Sequence, residues 1–262
     1  MSLWEAIVLG IIQGLTEFLP VSSSGHLELA EYLFGIDEPG SLGFTMAVHG
    51  GTVLSTIVVF WKELGRLIAG FFRFRMNEET KFVINIFISL VPILLVGLLF
   101  REHIEALFSG NIRTVGIMLL VTAALLTFAH YAKPGLGRVT PWKAFVIGLS
   151  QAVAVIPGLS RSGTTISTGL VLGVKREEVS KFSFLMVLIP IIGMNILEFF
   201  KGVPASEGIG AAPMIAGFLT AFITGTLACK VMIRVVNRGK LVWFALYCVL
   251  VGVGTVILSY MG

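Results

Sequence analysis

The chain has 262 residues, 56% of them hydrophobic and only 13% charged, with a net charge of +4. Soluble domains carry about a quarter charged residues, so this composition excludes an ordinary soluble enzyme and places the core of the protein in lipid. The basic residues sit in short segments between apolar runs, which argues against a nucleic-acid-binding surface.

The start, MSLWEAIVLG, has no basic n-region and carries Glu5, so no cleavable signal is expected there. Residues 3–35 then form two apolar halves interrupted by Pro20, Ser22, Ser23, Ser24 and Gly25. Each half is too short to cross a hydrocarbon core of ~30 Å at ~1.5 Å per helical residue. Irregular backbone at that depth survives only where protein shields it or a wet cavity receives it. The segment is therefore expected to be a re-entrant helical hairpin. Ordinary spans follow at about 43–61, 82–100 and 114–131. A second interrupted segment occupies 142–173, and further spans are expected at about 184–200, 213–232 and 241–260. Cys229 and Cys248 fall in apolar runs and read as buried small hydrophobes.

The two interrupted segments align without a gap at a shift of 138 residues: Trp4 on Trp142, Gly10 on Gly148, Gln13 on Gln151 and Gly35 on Gly173. Ser22, Ser24 and Gly25 meet Ser160, Ser162 and Gly163, and a small-residue ridge Ala6/Gly10/Gly14 matches Ala144/Gly148/Ala152. The expected fold is thus an all-α polytopic membrane protein, an inverted-topology repeat with six spanning helices and two re-entrant hairpins. Residues 1–131 form the first repeat and 132–262 the second, within one integral membrane domain.

Charge supports the inversion. Lys62, Arg66, Arg73, Arg75 and Lys81 in 62–81, Lys133, Arg138 and Lys143 in 132–143, and Lys230, Arg234, Arg238 and Lys240 in 230–240 share one face if both hairpins are re-entrant. That face is expected to be cytoplasmic. The stretch 28–38, with Glu28, Glu31, Asp37 and Glu38, then lies outside with 201–212 and both termini. The hairpins enter from opposite sides, so their tips are expected to meet near the midplane and build a central polar site.

Glu17 lies deep in the first hairpin with Gln13 one turn earlier; a charge at the bilayer centre costs about 2.5–3.5 kcal/mol and marks a functional candidate. The plainer reading makes Glu17 a structural partner of Arg161. Arg161 follows the second interruption, PGLSRSGTT, where a guanidinium and the start of a half-helix together favour phosphate. Ser160, Ser162, Thr164 and Thr165 surround it, although serines and threonines there also serve as ordinary N-caps. His26, in SSSGH, is read as an acid, base or nucleophile. Ser22, Ser23 and Ser24 supply hydroxyls that cap the half-helix or attack phosphorus. His49 is a candidate lining residue; His103 and His130 read as loop and span-end residues, and Asn85, Asn195 and Glu198 as helix-contact or interfacial residues. With one clear carboxylate, the chain offers part of a shell for Mg²⁺ or Ca²⁺, to be completed by substrate phosphates and water.

GIIQGLTEFLPVSSSGH and PGLSRSGTTIS resemble the two signature regions of the bacitracin-resistance family, the undecaprenyl-diphosphate phosphatases of bacterial membranes. The first follows the family's (E/Q)xxxE pattern through Gln13 and Glu17 and ends at His26. The second is its PGxSRSxxT motif, carried by Pro157, Gly158, Ser160, Arg161, Ser162 and Thr165. The resemblance implies hydrolysis of undecaprenyl diphosphate to the monophosphate that carries cell-wall precursors. It further implies a divalent cation, the inner membrane as location, and a site reached from the outer face. By motif position Gln13 and Glu17 hold metal or diphosphate, Arg161 grips phosphate, and Ser23 and His26 are nucleophile and proton-transfer group in an order left open. Expected partners are a prenyl diphosphate lipid and membrane lipids, with no nucleic acid; a homodimer stays open. A transporter or flippase of a phosphorylated lipid is the competing reading, since inverted repeats are transporter architecture. An acid-phosphatase type of lipid phosphatase lacks its downstream His-Asp and upstream Lys…Arg-Pro segments here.

Overall fold

The computed structural model describes residues 1–36, 42–100, 111–133, 135–200 and 209–261, without the side chains at 42, 195 and 198–200. Asp37, Glu38, His103, most of 201–212 and the side chains of Asn195 and Glu198 therefore lie outside the described residues. Regular structure within them is helical, apart from an isolated bridge between Gly137 and Val174.

Helix α1 (Leu3–Phe18) opens on a capping box: Ser2 Oγ accepts from the Glu5 amide and the Glu5 carboxylate accepts from Ser2 N–H. It stops because Pro20 has no amide hydrogen and forces Leu19 into an extended conformation, φ −69° and ψ 143°. Helix α2 (Ser23–Phe34) starts four residues later and ends on Gly35, whose φ of 62° suits a left-handed cap. The second interrupted segment repeats this plan with α6 (Pro141–Val153), a break over 154–160, and α7 (Arg161–Val171) capped by Ser160.

Between and after them lie α3 (Leu42–Phe71), α4 (Glu78–Leu99), α5 (Ile112–Tyr131), α8 (Arg176–Met186), α9 (Leu188–Phe200), α10 (Ala211–Asn237) and α11 (Val242–Leu258). Among the described residues four helices, α3 (from Gly43), α4, α5 and α10, are long and apolar enough to cross a membrane; α11 is apolar and shorter at 17 residues. The expected span 184–200 is not one helix. It starts earlier, at Arg176, and divides at Val187, because Pro190 cannot donate to the carbonyl of Met186. Helix α3 also outruns its expected end, so Lys62 and Arg66 sit on helix rather than in a loop. Glu63 there binds both Arg66 (2.7 Å) and Lys181 (2.8 Å), and Arg138 pairs with Glu78.

Small residues set the packing. Gly10 and Gly14 bring α1 against the backbone of α10 at Gly217 and Ala221, leaving no room for a Cβ. Gly148 does the same for α6 against Ser89 of α4. The ridges seen in sequence thus face α10 and α4. Helices α5 and α11 cross at Gly116 and Gly252, where a Cβ on either would lie 2.9 Å from the other's carbonyl oxygen. Leu94, Leu98, Ile223, Leu227 and Leu250 are all exposed, as a lipid-facing surface requires. Cys229 and Cys248 are buried and free.

The two breaks touch. A Cβ on Gly25 would fall 2.9 Å from Gly158 Cα, and one on Gly163 would fall 3.3 Å from Pro20 Cβ. These two contacts exchange under the shift of 138 residues that aligns the segments. A spanning helix grips each break. Cys248 of α11 donates to Pro20 O (3.7 Å). On α5, Thr122 Oγ1 accepts from Ser160 N–H (3.0 Å) and approaches Gly158 O (3.3 Å).

Candidate active site

Where the breaks meet, four side chains converge. Glu17, in the last turn of α1, accepts from Gln13 Nε2 (3.0 Å) and from Ser23 Oγ (2.6 Å), and forms an ion pair with Arg161. Its carboxylate lies at the negative end of α1, yet two of its donors sit on the first residues of α2 and α7, at helix ends of opposite sign. Ser23 and Arg161 are 138 residues apart, so equivalent positions of the two segments meet on one carboxylate. Gln13 is fully buried and Glu17 nearly so, while the Arg161 side chain keeps 30% of its surface exposed.

The turn before Ser23 is unusual. Ser22 caps α2 through Gly25 N–H (3.3 Å) with a φ of 71°, a left-handed value rare for serine. Ser24 Oγ lies 3.4 Å from Ser22 Oγ. The ring nitrogens of His26 bond away from Glu17, Ser23 and Arg161. Its Nδ1 bonds to Ser22 O (2.8 Å) and its Nε2 to the hydroxyl of Tyr247 on α11 (2.9 Å).

Around the second break, Ser160 Oγ accepts from Gly163 N–H (3.1 Å), and Ser162 Oγ donates to Leu19 O (3.3 Å), tying α7 to the first break. Thr164 donates back to Ser160 O (2.7 Å), so it serves the helix start rather than the cleft. Thr165 pairs with Ser183 of α8 (2.6 Å). Glu17, Arg161 and Ser162 line a cleft with Thr52 and Thr56 of α3, Ser183, and an apolar wall that includes Phe18, Phe184 and Leu188. Its free volume is about 20 Å³, room for one water-sized particle. Sequence reasoning missed Thr52, Thr56 and Ser183. The first two recur at helical spacing within an apolar run, a signal that was available. His49 bonds Thr45 O (2.9 Å) within electrostatic reach of Glu17. His130 bonds Gly239 O (3.0 Å), and Asn85 holds Val139 O (2.7 Å); both are structural.

A cation would meet the Glu17 carboxylate and Gln13 Oε1, a buried acceptor without a partner. No cluster of three or more His, Cys, Asp or Glu exists among the described residues, so phosphate and water would supply the remaining ligands. The donor set suits a hard cation. The arrangement pairs a hydroxyl with a carboxylate base and a guanidinium, which is competent for attack on phosphorus.

These helices and this buried polar centre define a multi-pass membrane protein with a candidate polar site between two helix breaks. Residues 6–254 match the family described as bacitracin resistance protein BacA, and the chain belongs to that family. It is 51% identical to an undecaprenyl-diphosphatase of Bacteroides fragilis over 263 aligned positions, 99% of each chain. An undecaprenyl-diphosphatase of Bacteroides thetaiotaomicron is also 51% identical, over 98% of this chain and 99% of its own. One from Korarchaeum cryptofilum is 38% identical over 97% and 98%.

Proposed function

We propose that this protein hydrolyses undecaprenyl diphosphate to undecaprenyl phosphate and inorganic phosphate. The observation that carries the reading is the convergence of Gln13, Glu17, Ser23 and Arg161 at the meeting point of the two breaks. In the resting site Arg161 is taken by Glu17 and the cleft has room for about one water, so the diphosphate enters by replacing the carboxylate at the guanidinium. Arg161 then holds the terminal phosphoryl group with Ser162 and the first-turn amides of α7 beside it, while Ser160, Thr164 and Thr165 hold that helix start in place. Ser23 Oγ attacks phosphorus while Glu17 takes its proton, and the bond to the bridging oxygen breaks. Water then releases phosphate from Ser23. Ser22 and Ser24 shape the turn that presents Ser23, and His26 is assigned proton transfer. Gln13 and Glu17 would hold Mg²⁺ or Ca²⁺, which would supply charge stabilisation on the phosphoryl oxygens.

In the same reading the chain is an inverted repeat of two re-entrant hairpins and six crossings in the bacterial inner membrane, with the site open to the outer face. The exchange of the Gly25–Gly158 and Pro20–Gly163 contacts supports the repeat, and the basic segments support the orientation.

The test is phosphate release from undecaprenyl diphosphate by the purified protein. Glu17→Ala and Arg161→Ala are expected to abolish it while the protein still inserts and unfolds cooperatively. Full activity in both folded variants refutes the assignment. Lipid movement across vesicles without phosphate release would favour the flippase reading.

A further inference from the structure

We propose that Tyr247 of α11 is a positioning residue that fixes the tautomer and ring plane of His26. Its effect on turnover rests on the proton-transfer role assigned to His26 above; the pairing itself does not. A carbonyl can only accept, so the 2.8 Å contact with Ser22 O puts the ring proton on Nδ1. Nε2 of the neutral ring is then a lone pair, and the Tyr247 hydroxyl 2.9 Å away is its donor. The two rings are also stacked, 5.6 Å between centroids and 11° between planes, so the phenol restrains the imidazole in orientation as well as in protonation.

The consequence reaches the attacking hydroxyl. Ser22 O accepts from both the backbone N–H of His26 (3.2 Å) and its Nδ1. Those two bonds hold the left-handed Ser22, and Ser22 sets the direction of Ser23 towards Glu17. The neighbouring Cys248 bonds Pro20 O on the other side of the same break. Two consecutive residues of α11 thus bracket the first break. Phenylalanine at 247 would keep the stacking and leave Nε2 without its donor, which separates the hydrogen bond from packing.

The experiment uses the full chain in detergent micelles, with ¹⁵N-labelled histidine and the His26 ring signals assigned by loss in His26→Gln. In the unmodified protein the ring is expected to show a protonated Nδ1 and a hydrogen-bonded, unprotonated Nε2. Tyr247→Phe is expected to move the Nε2 signal towards that of a free lone pair. It should also lower kcat by about 10-fold to 100-fold with little change in KM, as loss of a residue that orients another typically does. Ring signals identical in the two proteins overturn the proposal, as does Tyr247→Phe with unchanged kcat in a protein whose His26→Gln variant is inactive. If His26→Gln keeps full activity, the proton-transfer role falls, and the ring signals alone decide the pairing.

Discussion

Gly25→Ala tests whether the contact between the two breaks governs the site. The added methyl carbon would lie 2.9 Å from both Gly158 Cα and Val115 Cγ1. Carbon atoms pack at about 3.5–4.0 Å, so one side must retreat by about 0.6 Å. The Val115 side chain has some freedom, but Gly158 does not. Gly158 sits at φ 87° with its open face against the Val115 backbone, so the second break cannot move away without dragging Ser160 and Arg161. Overpacking of this kind costs about 1–3 kcal/mol. For a chain of this size each kcal/mol lowers the thermal midpoint by about 2–4 °C. A misplacement of 1 Å can cost about 100-fold in rate, so half that displacement predicts a loss of about tenfold. Phosphate release and thermal unfolding of the purified protein measure both. Gly97→Ala, inside α4 where the methyl meets nothing within 4 Å, is the control: it keeps the rate, and its midpoint does not fall, since Gly→Ala at a helical position stabilises by about 0.4–1 kcal/mol. A Gly25→Ala protein with unaltered rate and midpoint would refute the argument.

Thr122→Val removes the acceptor for Ser160 N–H, and leaving that buried group unpaired costs about 1–3 kcal/mol. The thermal midpoint and the rate of phosphate release should both fall, and Thr122→Ser should restore them. Removing divalent cations with EDTA should stop phosphate release, with Mg²⁺ or Ca²⁺ restoring it. In Gln13→Ala the cation concentration for half-maximal rate should rise, because Gln13 Oε1 is one of the two acceptors offered.

The helix breaks were legible because their causes are local. Pro20 and Pro157 lack amide hydrogens, and Ser22 and Ser160 are capping residues at the positions that need caps. The pairing of Glu17 with Arg161 was legible because a lone carboxylate and a lone guanidinium in lipid must find partners. Tyr247 was not, since it reaches His26 across 221 residues and nothing in its own segment marks it. Thr52 and Thr56 were overlooked because each hydroxyl bonds a carbonyl of its own helix, as threonines in apolar helices usually do. The division of α8 from α9 carried a local sign in Pro190. It was outweighed by the apolar run around it, which reads as a single crossing.

The ion pair between Glu17 and Arg161 bears on discrimination. Most lipid headgroups around the protein are phosphodiesters with a single negative charge, and a free guanidinium would attract all of them. Here the guanidinium is already neutralised by a carboxylate that two further donors, Gln13 and Ser23, hold in place. An incoming headgroup must outcompete that carboxylate, and a monoanion brings no more charge than the group it displaces. A diphosphate monoester brings more charge and more acceptor oxygens, which on the proposed mechanism would let it take Arg161 and leave Glu17 free to act as a base. On the proposed mechanism the resting pair would work as a valence filter: abundant bilayer lipids would leave it shut, and a scarce multiply charged one would open it.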